Sequence, residues 1–373
     1  MPKKILYWTQ LFWPYVGGVE VLGSKFLPAM EARGYEFIVI TSHGSLDLPD
    51  LDEYQGIKIH RFRFQEVFEK RNLDLMFQIQ KQVADLKKSF QPDLVHINLT
   101  DPGLWFHWRS EISHPAPTII ALRLALDLSQ SGEDSLLGQS LRKAKWITAN
   151  SSAILDGLHQ LAPETKLYSS VIYNGLEIPE VNPRPLPVDP PRLLCLGRVV
   201  EDKGFDLAIL ALPEVVASFP FVKLMIAGDG PARPELEKLA SKLGVEDHID
   251  FLGWVNPDRI PDLINQNSLI LMPSRWQEAF GLTALQAAQM ARPVIGARTG
   301  GLPEVVLDGK TGLLVEKENP KTLADAIKWM LAHPEEMHSK GKRAREYVTE
   351  KFSWDAYLQA YHQLYQKIIE GAI

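Results

Sequence analysis

Residues 272–306, MPSRWQEAFGLTALQAAQMARPVIGARTGGLPEVV, decide how the rest of the chain is arranged. The apolar run Leu269–Met272 has strand character, and Pro273 and Ser274 stop it. After Phe280-Gly281, Leu282, Leu285 and Ala288 recur at helical spacing, and a short strand and a glycine-rich turn follow. Gly281 and Leu282 therefore stand at a helix start. The first amides of a helix lack internal partners and carry the positive end of its dipole, which suits a phosphate or another anion. Glu278 precedes those amides, and Gln286 lies a little over a turn into the helix. A carboxylate beside an anion site needs a neutral partner, and a sugar hydroxyl is one. Taken singly, Glu278 would be a charge at a helix N-terminus and Gln286 a solvated helix position.

Working outward, the dense prolines of residues 178–191, IPEVNPRPLPVDPP, mark a stiff boundary between two domains. Beyond it, residues 193–196 read as a strand, and Gly197-Arg198-x4-Lys203-Gly204 leads to a helix beginning near Phe205. Two cations close to a helix start favour a multiply charged anion. Residues 224–227 read as a further strand, and residues 251–255 lead into a loop. Before the boundary, residues 5–8, 37–41, 57–62, 94–97, 118–122, 146–149 and 167–172 have strand character with helical segments between several of them. The opening strand, loop, helix and strand form a βαβ unit, which predicts a parallel, doubly wound sheet. Gly17-Gly18 precedes the first helix and presents amides near its start, but it is not a dinucleotide-binding glycine fingerprint.

The sequence Pro273-Ser274-x3-Glu278-x-Phe280-Gly281-Leu282, followed by a helix, Pro293-Val294-Ile295-Gly296 and Gly300-Gly301-Leu302-Pro303-Glu304-Val305-Val306, resembles the donor site of family-4 retaining glycosyltransferases. The resemblance covers most of the second domain and the first more loosely. It implies the GT-B fold, two Rossmann-like domains facing across a cleft. The expected divisions are residues 1–177, the linker 178–191, residues 192–351, and a last helix in 352–373 that crosses back to the first domain. In that family a Glu, seven residues and a second Glu contact the donor sugar and the ribose. Here Glu278 matches and Gln286 replaces the second acid with a weaker, amide acceptor.

The same resemblance assigns Arg198 and Lys203 to the diphosphate and Val255 to the base, with Asn256, Pro257 and Asp258 following. Gly17 and Gly18, in the loop from Pro14, would cover the donor phosphates, and the backbone from Ala279 through Phe280 and Gly281 to Leu282 would meet the donor. Many members carry a histidine after the strand 118–122, where this chain reads Leu122-Arg123-Leu124-Ala125. Arg123 either supplies a positive contact in the cleft or pairs with a carboxylate such as Asp127. The implied reaction is metal-independent and needs no cofactor beyond a nucleoside-diphosphate sugar. Its acceptor, a sugar, lipid or polysaccharide, is left open. A sugar-nucleotide epimerase, a phosphorylase and a nucleotide-sugar-binding protein with impaired catalysis are the rival readings of the same fold.

At 373 residues and 42.0 kDa the chain can bury two cores of ordinary size. One cysteine, Cys195, excludes an internal disulfide and, set in an apolar run, reads as a core thiol. The net charge of −6 gives no field for nucleic acid. No apolar run is long enough to span a bilayer, and MPKKILYWTQ enters a strand directly, so the expectation is a cytoplasmic protein with a peripheral membrane contact left open. Lys81, Lys87 and Lys88 read as a solvated helix face. Residues 105–109 read as part of an amphipathic helix, and Tyr357, Tyr361 and Tyr365 as a packing stripe.

Overall fold

The computed structural model describes residues 1–98, 102–126, 132 and 134–373. They form two compact units, Met1–Tyr173 with Asp355–Ile373, and Asn174–Trp354. In the first unit, β1 (Lys3–Thr9), β2 (Tyr35–Ser42), β3 (Leu51–Tyr54), β4 (Ile57–Phe62), β5 (Leu94–Asn98), β6 (Thr118–Leu122), β7 (Trp146–Ala149) and β8 (Ser169–Val171) make one sheet in the order β3-β4-β2-β1-β5-β6-β7-β8. All pairings are parallel except β3 on β4. Strands such as β1 and β5 are buried along nearly their whole length, as a parallel sheet covered by helices on both faces requires.

The second unit has β9 (Arg192–Leu196), β10 (Lys223–Ala227), β11 (Ile249–Gly253), β12 (Leu269–Met272), β13 (Val294–Ala297) and β14 (Gly312–Val315), in the parallel order β11-β10-β9-β12-β13-β14. Its core joins Leu193, Cys195, Leu224, Ile226, Leu271 and Ile295 to apolar residues of the helices Phe205–Ser218 and Pro320–Ala332. Burial pushes the Cys195 thiol up, so it stays protonated as a core group. The strand order reverses between β9 and β12, as it does between β1 and β5 in the first unit. In open α/β sheets ligands bind beyond the carboxyl ends of strands at such a reversal.

Several local expectations need correction. The strand expected at 167–172 shortens to β8 behind a 3-10 turn, Pro163–Tyr168. β3 and β14 have mixed burial and little apolar periodicity to reveal them. Residues 178–191 lie within the second unit, where Arg292, 1% exposed, fastens them. Its guanidinium donates to the carbonyls of Arg184, Pro185, Asn265, Asn267 and Met290. All five N–H groups are matched by backbone dipoles, which lets a cation sit inside.

Lys87 is not on a solvated face. It is 1% exposed and donates through Nζ to the His107 carbonyl at 2.8 Å and to His107 Nδ1 at 3.2 Å. The His107 Nε2 reaches Thr118 Oγ1 at 3.1 Å, which fits a neutral imidazole with its proton on Nε2. Burial draws the Lys87 ammonium down to about 7 against a partial rise from Glu111, and burial followed by Lys87 holds His107 well below its ordinary value.

Candidate functional site

The chain leaves β9 at Gly197, exposes Arg198, makes a 3-10 turn over Glu201–Lys203 and enters the helix Phe205–Ser218 through Gly204. Gly204 has φ +64°, and a Cβ there would lie 2.1 Å from the Pro273 carbonyl oxygen. Only glycine lets the two backbones meet so closely. That approach sets the β9 turn against the loop leaving β12. Lys203 Nζ donates to Glu278 Oε1 at 2.6 Å, and Ser274 Oγ donates to the same oxygen at 2.6 Å. The side chains of Lys203 and Glu278 are 30% and 12% exposed, so the pair is partly shielded. The Glu278 carbonyl accepts from Gly301 N at 2.7 Å, and a Cβ on Gly300, at φ +54°, would come within 2.1 Å of it. The carboxylate is therefore fixed from its side chain and from its main chain.

The helix Leu282–Gln289 begins after Gly281, as the sequence predicts. Phe280 is buried edge-on against Phe352, with centroids 5.2 Å apart, so any ligand meets its backbone rather than its ring. Ala279, Leu282 and Gln286 are half-buried, and the Gln286 side chain makes no hydrogen bond among the described residues. Val255, just beyond β11, is also half-buried. Arg198 enters no ion pair among the described residues and is exposed.

In the first unit, Gly17 caps the helix Gly18–Glu31 at the carboxyl end of β1, the position expected of an amide site. The Glu20 carboxylate folds back over it: a Cβ on Gly17 would lie 2.2 Å from Glu20 Oε2. The positive helix end thus already faces an anion of its own.

Arg123 lies within the first unit. It is buried, and it donates from Nε to Asn98 Oδ1 at 2.9 Å and from Nη2 to the hydroxyls of Tyr357 and Tyr361 at 3.0 Å each. Its alternative partner Asp127 lies outside the described residues. The tyrosine stripe packs, as expected, and also bonds: Tyr361 reaches Thr148 at 2.9 Å and Tyr365 pairs with His96 Nδ1.

Residues 179–347 match the family model described as glycosyl transferases group 1, and residues 16–180 match glycosyltransferase family 4. The chain belongs to the family-4 glycosyltransferases. This glycosyltransferase is 27% identical over 368 residues to an uncharacterized glycosyltransferase of Methanocaldococcus jannaschii, covering 96% of this chain and 97% of that one. It is 34% identical over 172 residues to a GDP-mannose-dependent alpha-(1-6)-phosphatidylinositol monomannoside mannosyltransferase of Mycolicibacterium smegmatis, covering 44% of this chain and 45% of that one. The fold is that of sucrose-phosphate synthase from Thermosynechococcus elongatus, with a TM-score of 0.84 at 21% identity over 99% of this chain and 100% of that one.

The sequence of this glycosyltransferase singles out Lys203 and Glu278 but not what surrounds them. Ser274 supplies the second bond to Glu278, and Arg275 grips Asp206 with both guanidinium nitrogens, at 2.6 and 2.5 Å. Ser274 is part of the recognised Pro-Ser run. The acid and base three residues from Lys203 and Glu278 were the available signal for the second pair. Among the described residues no three His, Cys, Asp or Glu side chains gather as a metal-ligand set, and no helix is long and apolar enough to cross a membrane.

Proposed function

We propose that the chain is a retaining glycosyltransferase that moves a hexosyl-type sugar from a nucleoside-diphosphate sugar to an acceptor without a metal ion. The observation that carries this reading is the pairing of Lys203 with Glu278 at 2.6 Å beyond the ends of β9 and β12. An ammonium has three donors, so Lys203 can hold Glu278 and a phosphate oxygen together. As the bond from sugar to phosphate breaks, negative charge grows on the diphosphate. Lys203, Arg198 and the amides from Phe280 to Leu282 are the groups to stabilise it, and fixed charges and dipoles aimed at developing charge supply much of the rate enhancement in such catalysis. Glu278 then orients the donor sugar, Gln286 holds ribose and Val255 meets the base.

In the proposed front-face course, the departing phosphate oxygen takes the acceptor's proton, so the protein need not supply a base. Gly17 and Gly18 would offer amides to the donor phosphates once Glu20 moves aside. The acceptor is a sugar, lipid or polysaccharide, reached from the cytoplasm or the inner face of a membrane.

Thermal unfolding against uridine, guanosine and adenosine diphosphates and their common sugar conjugates tests the donor class. Ligand binding to the native state raises stability by about 2.7 kcal/mol at a hundredfold excess over Kd. Product analysis by NMR with EDTA present then reads the anomer and the need for metal. An inverted anomer, or turnover abolished by EDTA, would overturn the corresponding part of the proposal.

A further inference from the structure

Two acid–base pairs tie the same two segments together. On one segment Lys203 precedes Asp206 by three residues; on the other Arg275 precedes Glu278 by three. Lys203 bonds Glu278 and Asp206 bonds Arg275, so the charges cross between the segments. The outer pair is the more elaborate. Arg275 Nη1 and Nη2 meet Asp206 Oδ1 and Oδ2 at 2.6 and 2.5 Å, and Nη1 also reaches the Glu201 carbonyl at 3.2 Å. The Asp202 carbonyl accepts from the main-chain N of Arg275 at 2.8 Å and of Trp276 at 3.3 Å. Asp206 sits in the first turn of the helix Phe205–Ser218, so its position follows that helix.

We propose that Asp206 and Arg275 are positioning residues that clamp the Glu278 loop to the Lys203 turn and so set recognition of the sugar half of the donor. The inference rests on the donor reading above. The inner pair has to share its ammonium with phosphate and its carboxylate with sugar when ligand arrives. The outer pair has no such duty and keeps the two segments in register meanwhile. A planar fork fixes distance and angle together, whereas a lysine at 275 would supply a point charge without that geometry. Supporting contacts of this kind matter because displacement of a binding group by about 1 Å can cost 100-fold in rate. Arg198 and Lys203 leave β9 and their backbone leads into the helix Phe205–Ser218, whereas Glu278 stands three residues along the loop from Arg275. Loss of Arg275 therefore falls more heavily on Glu278 than on the two cations.

The test uses the full chain and calorimetric titration with UDP and UDP-glucose, GDP and GDP-mannose, taking whichever pair the wild type binds. In Arg275→Ala and Asp206→Asn the nucleoside diphosphate should bind within about threefold of wild type, while the ratio of sugar-nucleotide Kd to diphosphate Kd rises about tenfold or more. Arg275→Lys should leave the melting temperature near wild type and still raise that ratio, which a purely charge-based brace would not do. An unchanged ratio in Arg275→Ala overturns the inference. So does an equal loss of both affinities in the shape-conserving Asp206→Asn, since that marks a general structural brace. If the wild type binds none of these four ligands, nor ADP and ADP-glucose, the donor reading fails instead.

Discussion

Replacing either partner of the Lys203–Glu278 pair should move diphosphate affinity in opposite directions. Lys203→Ala removes a cation that donates at 2.6 Å and is only 30% exposed. A hydrogen bond to a charged group contributes about 1.5–3 kcal/mol, so the diphosphate should bind roughly 10- to 100-fold more weakly. Glu278→Gln leaves Lys203 in place and takes away the carboxylate that competes with phosphate for its ammonium. The glutamine keeps the shape and can still accept from Ser274 Oγ, now at 2.6 Å from Oε1. Diphosphate affinity should hold or tighten by up to about fivefold, the size of a partly exposed pair of about 1 kcal/mol. Turnover should fall, because an amide orients sugar hydroxyls less strongly than a carboxylate. Calorimetric titration of both variants with the preferred diphosphate, beside transfer assays, reads the split. Weaker diphosphate binding in both variants by the same factor would sink the argument, for it would show the pair acting as one structural unit rather than as two ligand groups.

Lys87→Met should flatten a pH dependence of the first unit. The unfolded chain keeps this lysine protonated up to about 10.5 and the folded one releases the proton near 7, so stability climbs by up to about 1.4 kcal/mol per pH unit between those values. Urea titrations at pH 7, 8 and 9 should show the slope in wild type and a smaller one in the variant; equal slopes would mean that Lys87 ionises normally. Gly300→Ala places a Cβ against the Glu278 carbonyl at a positive φ, and should cost about 1–3 kcal/mol of stability together with donor affinity. A variant as stable as wild type and equally able to bind donor would refute that placement. Gln286→Glu restores an ionised acceptor toward ribose and should tighten nucleoside-diphosphate binding by a few-fold, of order 0.5–1 kcal/mol, whereas a 2′-deoxyribose diphosphate, with one hydroxyl fewer, should gain less. Equal gains for both sugars would remove Gln286 from ribose recognition.

The fold was legible wherever burial imposed an apolar run. β6, β7 and β12 carry the expected residues because each is a short, buried segment closed by polar or turn residues, and β4 shows itself by the alternation of buried Ile57 and Ile59 with Lys58 and His60. β3, an edge strand of Leu51–Tyr54, has no such run, since one face is open to solvent. Of the site, single residues were legible and partnerships were not. Lys203 and Glu278 stand out by their own motifs, but nothing in Leu122-Arg123-Leu124 shows that the hydroxyls of tyrosines more than 230 positions away accept from Arg123. Lys87 shows the same limit: a lysine at a helix position reads as solvated until His107 closes over it.

The partnership that matters most depends on strand order. Lys203 and Glu278 are 75 residues apart, yet they meet because β9 and β12 are neighbours in the sheet. β10 and β11 lie on the other side of β9, so the chain must return across β9 to place β12. That reversal leaves the loops after β9 and β12 side by side with no crossing helix between their carboxyl ends. The β9 loop runs into the positive end of a helix and carries Arg198 and Lys203, while the β12 loop carries Glu278 ahead of a second helix start. A ligand with adjoining anionic and hydroxylated halves matches this juxtaposition, and one that was anionic throughout would meet Glu278 as repulsion. The Lys203 ammonium set directly beside the Glu278 carboxylate, which the reversal brings about, is thus the physical reason to expect discrimination between a sugar nucleotide and a nucleoside triphosphate at this site.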